Sequence, residues 1–245
     1  MKLFPFCMVL AVVWPLASAR AAPAACKGAD QACLLTALEQ DTAAIPETAW
    51  RDSTYRELAK LLARQGQEDR AIALVEKIKI PDTQSITIRG IGMAAAQFAK
   101  LTKSQYSSLF KSLTAEAKKI SDPASQAVAL NYIAESQATA GDDAGSLITA
   151  LGIKNQEMRN KALYDSSKVQ AAAGRMDAVI GSISVIDQAA FRDKAWRTAS
   201  KIRADAKDYD GALAISGQIE NPYQKAQAVL YILVRQISPE EVSIE

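Results

Sequence analysis

Apolar residues recur along most of the chain at the three- and four-residue steps of an amphipathic helix. In "GQEDRAIALVEKI" (66–78), Ala71, Leu74, Val75 and Ile78 share one helical face. A longer stretch, "QAVALNYIAESQATAG", runs from 126 to Gly141. Short polar breaks separate such stretches: "PDTQ", "SDPAS", "KNQEM", "DQAAF" and "ENPYQ". Pro81, Pro123 and Pro222 suit a first helical turn, where no intrahelical donor is lost. Gly141 and Gly174 sit where a left-handed C-terminal cap is wanted. The pattern predicts an all-α fold in which a shorter helix after each glycine alternates with a longer one before the next.

The elements repeat. Ile120, Ile153, Ile186 and Ile219 are spaced 33 apart, as are Ala129, Ala162, Ala195 and Ala228. Gln126, Arg159, Arg192 and Lys225 share one slot of this register, and Gly141, Gly174 and Lys207 another. Ile45 and Ile78 are also 33 apart, and Gly66 follows Ile45 by 21, as Gly141 follows Ile120. The step from Ile78 to Ile120 is nine longer, which predicts an insertion around Ser104–Lys119. A single helix-turn-helix cannot bury its apolar stripe alone, so the units over 45–237 are expected to stack into an α-solenoid. The recurrent isoleucines would be its joints, each contributing ~1.5–3 kcal/mol when buried.

The units resemble tetratricopeptide (TPR) repeats, whose usual period is about 34. Gly66 and Ala71 match the family's glycine and its small residue five positions on, and Gly141 and Ser146 match more loosely. In "KDYDGALAI", Ala212 takes the small position and Lys207 replaces the glycine. Tyr55, Leu58, Ala59 and Leu62 fit the large–large–small–large spacing of the preceding helix; Trp196, Ala199 and Ser200 begin the same series and Arg203 breaks it. The units depart from the family by being one residue short, by an isoleucine where a second alanine is preferred, and by lacking the terminal proline. The resemblance implies a right-handed superhelix that binds a protein or peptide on its concave face, lined by the helix before each glycine turn. Carried over residue by residue, that face takes Arg56, Lys60 and Arg64, then Lys161, Tyr164 and Lys168, then Lys194, Arg197 and Lys201. The unit ending at Gly141 is nearly neutral there, with Asn131 and Glu135.

Spacing alone puts Lys161, Tyr164 and Lys168 on one helix face, and Lys194, Arg197 and Lys201 on another one unit away. Such a basic stripe fits an acidic peptide segment, a C-terminal carboxylate or an anionic glycan. The competing reading is a solvated helix face.

The first residues read as a secretory signal peptide over 1–21. Lys2 precedes an apolar run from Leu3 to Leu16, and "ASARAAPAA" offers cleavage after Ala19 or Ala21. The run is short for a membrane span of about 20 residues and is interrupted by Pro5 and Pro15. A periplasmic or secreted protein is expected. The leader holds two of the 29 basic residues, Lys2 and Arg20, so the remaining 27 balance 27 acids. The formal charge of +2 therefore gives no support for nucleic-acid binding.

Cys7 lies in the leader, which leaves Cys26 and Cys33 in "CKGADQAC" to pair as a disulfide in an oxidising compartment. Seven residues of straight helix rise by ~10.5 Å, beyond the ~7 Å Cα limit of a disulfide. The segment must therefore bend near Lys27-Gly28-Ala29, leaving Asp30 to cap a short helix within 22–44. The tail at 238–245 is expected to be flexible and acidic.

The chain has no histidine. That removes the commonest general base and metal ligand, and no enzyme, cofactor or metal site is expected. "GIGMAA" (90–95) lacks the third glycine of a dinucleotide loop and reads as close helix packing. "KDYDGALAISGQI" (207–219) places Asp208, Asp210 and Gly211 as a calcium loop would, but its first and twelfth positions are Ala206 and Gly217. "GDDAG" at 141–145 fails in the same way, so these acids are expected to start helices. Two other classes stay open. A carbohydrate-active envelope protein (lectin or carboxylate hydrolase) would need paired acids and exposed aromatics. A self-assembling structural subunit would need an apolar end face, for which "AVLYILVRQI" (228–237) is the candidate.

Overall fold

The computed structural model describes residues 26–240. They form twelve α-helices: α1 (Gln31–Ala44), α2 (Thr48–Arg64), α3 (Glu68–Lys77), α4 (Pro81–Phe98), α5 (Lys103–Lys119), α6 (Pro123–Thr139), α7 (Asp143–Leu151), α8 (Gln156–Ala172), α9 (Met176–Ser184), α10 (Ala189–Asp205), α11 (Tyr209–Ser216) and α12 (Pro222–Ile237). No strand occurs among the described residues, so the all-α expectation holds. No helix among them is long and apolar enough to cross a membrane. The expected leader and residues 241–245 of the tail lie outside the described residues.

Local chemistry sets the helix ends. Pro81, Pro123 and Pro222 open α4, α6 and α12. Asp30, Thr102, Asp122, Asn155 and Asn221 each accept a backbone N–H three residues on, as N-cap side chains do. The backbone is left-handed at Gly66, Gly141 and Gly174, with φ of 72°, 82° and 72°. Lys207 adopts the same conformation, φ 62°, in the slot where the other units place glycine. Cys26 and Cys33 are joined, with Cα atoms 5.7 Å apart. The bend that permits this is a turn in which the Asp30 N–H donates to the Lys27 carbonyl at 2.9 Å.

The long helices pack in chain order, α2 on α4, α4 on α6, and so on to α12. Each of α3, α5, α7, α9 and α11 packs against the long helix before it and the one after it. α5 has 17 residues where the others have 8 to 10, and this accounts for most of the nine extra residues between Ile78 and Ile120. Gly92 lets α4 approach α6 closely: a Cβ there would lie 2.6 Å from the Ser136 hydroxyl.

Ile78, Ile120, Ile153, Ile186 and Ile219 are buried just past the ends of the shorter helices, and Ile45 is half-buried. Four of these carbonyls are capped by the slot six residues on, whereas Gln126 and Lys225 reach Lys118 O and Gly217 O instead. Arg51 donates to Ile45 O at 3.2 Å, Gln84 to Ile78 O at 2.9 Å, Arg159 to Ile153 O at 3.2 Å and Arg192 to Ile186 O at 3.0 Å. These donors satisfy acceptors that a helix end leaves without an intrahelical partner. The second guanidinium arms of Arg159 and Arg192 reach forward to Asp187 and Glu220, both at 2.8 Å. Buried acids make a second kind of link. Asp52 accepts the Lys79 and Ile80 N–H groups at 2.8 and 2.9 Å. Asp193 accepts those of Glu220 and Asn221 at 3.0 and 2.9 Å. Each carboxylate thus anchors the chain entering the next long helix. Arg203 does not merely interrupt a spacing: its side chain is largely buried and caps α8 at Ala171 O, 3.0 Å away.

Candidate functional site

A groove of about 1060 Å³ lies where the first turns of α6 and α8 meet the start of α10. Its walls carry Leu130, Ile153, Met158, Tyr164 and Phe191, with four lysines, Lys118, Lys154, Lys161 and Lys194, and one acid, Glu157. The Tyr164 and Phe191 rings meet at 5.5 Å between centroids with a 53° tilt. Lys194 Nζ lies 5.8 Å from the centre of each ring, within cation–π range. The result is an apolar, aromatic surface edged by positive charge.

The nine residues of the expected basic stripe separate into groups. Lys161, Tyr164 and Lys194 line the large groove. Arg56, Lys60 and Arg64 line a smaller one of about 440 Å³ between α2 and α4, beside Arg89, Met93 and Phe98. There the Arg64 guanidinium stacks 4.6 Å over the Phe98 ring. Lys168, Arg197 and Lys201 line neither groove. Lys201 instead sits 4.5 Å over the Tyr231 ring.

The stripe also carries its own counter-ions. Asp165 is buried between Lys161 and Lys168, at 2.6 and 3.0 Å. Burial pulls its carboxyl pKa upward, but the ammonium groups of Lys161 and Lys168 outweigh that and hold it below the usual carboxylate range. Glu57 is likewise held low, chiefly by its hydrogen bond from Lys60, with Arg56 at 2.9 Å also contributing. Of the groove cations, Lys161 is thus partly neutralised, while Lys194 faces aromatic rings.

The acids of the two loops considered for calcium serve helix starts. Asp208 accepts the Gly211 N–H at 3.0 Å and the Arg203 guanidinium at 2.7 Å. Asp142 accepts the Gly145 N–H at 3.0 Å, and Asp143 accepts Arg175 at 2.7 Å. No cluster of three metal-ligating side chains occurs among the described residues.

Sequence spacing missed Lys118, Lys154, Met158 and Phe191. Lys118 ends the inserted helix α5 and Lys154 follows a buried isoleucine, so neither shares a helix face with Lys161. Only the packing of α5, α6 and α8 brings them to one groove. Comparison of the chain with protein-family models, with curated proteins and with solved structures gives no match.

Proposed function

We propose that the helical hairpins form a TPR-like α-solenoid with a 33-residue period, and that the protein is an exported binding scaffold rather than an enzyme. Its ligand is an extended acidic peptide segment of a partner protein, seated in the groove of α6, α8 and α10. The observation that carries this reading is the groove itself, which Lys118, Lys154, Lys161 and Lys194 line together with the Tyr164–Phe191 pair. Positive edges attract carboxylates, while an aromatic floor takes an apolar side chain and excludes water from the contact. The repeated carbonyl caps support the solenoid, because the same arginine–isoleucine contact recurs 33 residues apart. The Cys26–Cys33 disulfide supports export to a periplasmic or extracellular compartment.

The test is fluorescence anisotropy with two labelled peptides: a glutamate-rich peptide holding one phenylalanine, and the same peptide with lysine for glutamate. Only the acidic peptide should bind, more weakly as salt rises. Lys154→Glu with Lys194→Glu should weaken it at least tenfold while leaving the circular dichroism spectrum unchanged. Equal binding of both peptides, or of the acidic peptide to both proteins, would reject the reading.

A further inference from the structure

The last helix exposes an apolar seam. On α12, Tyr223, Ala226, Leu230, Leu233 and Ile237 all face solvent, at steps of three, four, three and four residues. Tyr223 is 68% exposed, Leu230 44%, Leu233 46% and Ile237 77%. This is the a/d spacing by which one helix lies along another.

The same slots behave differently earlier in the chain. Thirty-three, 66 and 99 residues before Leu233 stand Ser200, Ser167 and Ala134, and before Ile237 stand Ala204, Ala171 and Ala138. All six are buried. Small residues there let the following hairpin approach closely, and Ser200 donates its hydroxyl to Ala212 O of α11 at 2.9 Å. The slot of Ala226 holds Asp193, Asn160 and Ala127, and Asp193 fastens the next unit's backbone. α12 therefore lacks the small residues that receive a following hairpin. It has bulk, Leu233 and Ile237, where close approach needs alanine or serine.

Charge decides what can cover it. The positions flanking the seam are Gln227, Val229, Val234 and Gln236, none of them ionisable. The two cations of α12 are turned away and occupied: Lys225 donates to Gly217 O at 3.3 Å, and Arg235 to Asp205 at 2.6 Å. An uncharged seam offers nothing for an oppositely charged partner to select, and it does not repel its own copy. The five side chains expose roughly 500 Å² per copy, so a pair would bury roughly 1,000 Å², the lower end for a specific interface.

We infer that the occupant is a second copy of this chain, packed α12 against α12 in antiparallel fashion about a two-fold axis at Leu230. Tyr223 then lies opposite Ile237 of the other copy, and small Ala226 lies opposite bulky Leu233.

Light scattering on the eluting chain at micromolar concentration tests it. The expected mass is twice that of one chain. Leu230→Glu with Leu233→Glu should return it to a single chain, with helical content and melting temperature retained because both residues are exposed. Under mild oxidation Leu230→Cys should crosslink to itself. Ile237→Cys should not, but should crosslink when mixed with Tyr223→Cys. A single-chain mass for the unaltered protein would mean the seam serves a different protein, and overturns the inference. So would a dimer that survives the double substitution, or self-crosslinking of Ile237→Cys.

Discussion

Arg203 grips the Asp208 carboxylate with two nitrogens, Nε at 2.9 Å and Nη2 at 2.7 Å, and donates its third to Ala171 O at 3.0 Å. One side chain thus ties the end of α8 to the start of α11. The Arg203 guanidinium, followed by the Gly211 N–H, holds the Asp208 carboxyl below its ordinary value of 3.8. A depressed folded pKa contributes stability that is present above the unfolded value and lost as pH falls through the folded one. Asp208→Asn should therefore lower the melting temperature at pH 7, and its difference from the unaltered chain should narrow as pH falls below about 4. Asp208→Ala also removes the cap and should cost about 1 kcal/mol more. Thermal melts across pH check both; a gap that widens in acid would contradict the assignment.

Lys207 occupies a left-handed backbone position that glycine fills at Gly66, Gly141 and Gly174. A side chain in that region costs roughly 1–2 kcal/mol, offset in part by the entropy glycine loses on folding. Lys207→Gly should raise stability by about 0.5–1 kcal/mol. Gly141→Ala should lower it by about 1 kcal/mol, although nothing lies within 4 Å of the added Cβ. Urea unfolding of the pair separates backbone strain from steric clash.

Asp193 is buried and accepts two backbone N–H groups from the next unit. Asp193→Ala should cost on the order of 2–3 kcal/mol, since two donors to a charged acceptor lose their partner. Asn160, which holds a single N–H at 3.4 Å in the same slot, should cost about 1 kcal/mol on replacement by alanine. Equal losses in chemical unfolding would show that the second hydrogen bond adds nothing.

Ile153 and Lys154 are neighbours with opposite surroundings, the first buried and the second exposed. Ile153→Ala should cost about 2–5 kcal/mol through lost burial and a cavity. Lys154→Ala should stay within about 0.5 kcal/mol. Matching melting temperatures would remove the isoleucine from its role as a joint.

Helix type and position were legible from the sequence because their causes are local. Proline and left-handed glycine limit the backbone wherever they stand, and Asp30, Asp122 and Asn155 reach their N–H targets within three residues. The recurrent isoleucines were legible as buried positions for a related reason: each lies at a fixed step from its own apolar stripe. The disulfide was legible because two cysteines seven residues apart can pair only where the chain bends between them, as it does before α1.

The candidate site was legible only in part. Lys161, Tyr164 and Lys194 were found by helix spacing, but that spacing counted lysines and passed over Asp165, which sits between two of them. Arg159 and Arg192 were visible as a repeated cation, and their use as caps on Ile153 O and Ile186 O was not. Helix starts, helix ends and the apolar face of each helix follow from residue order alone. Tertiary structure alone decided that Lys118 and Lys154 border one groove, that Asp193 anchors a backbone 27 residues away, and that Leu233 faces solvent where Ser200 is buried. The first set depends on torsional limits and on hydrogen bonds spanning a few residues. The second depends on which helices pack together, and therefore on distances that chain spacing does not record.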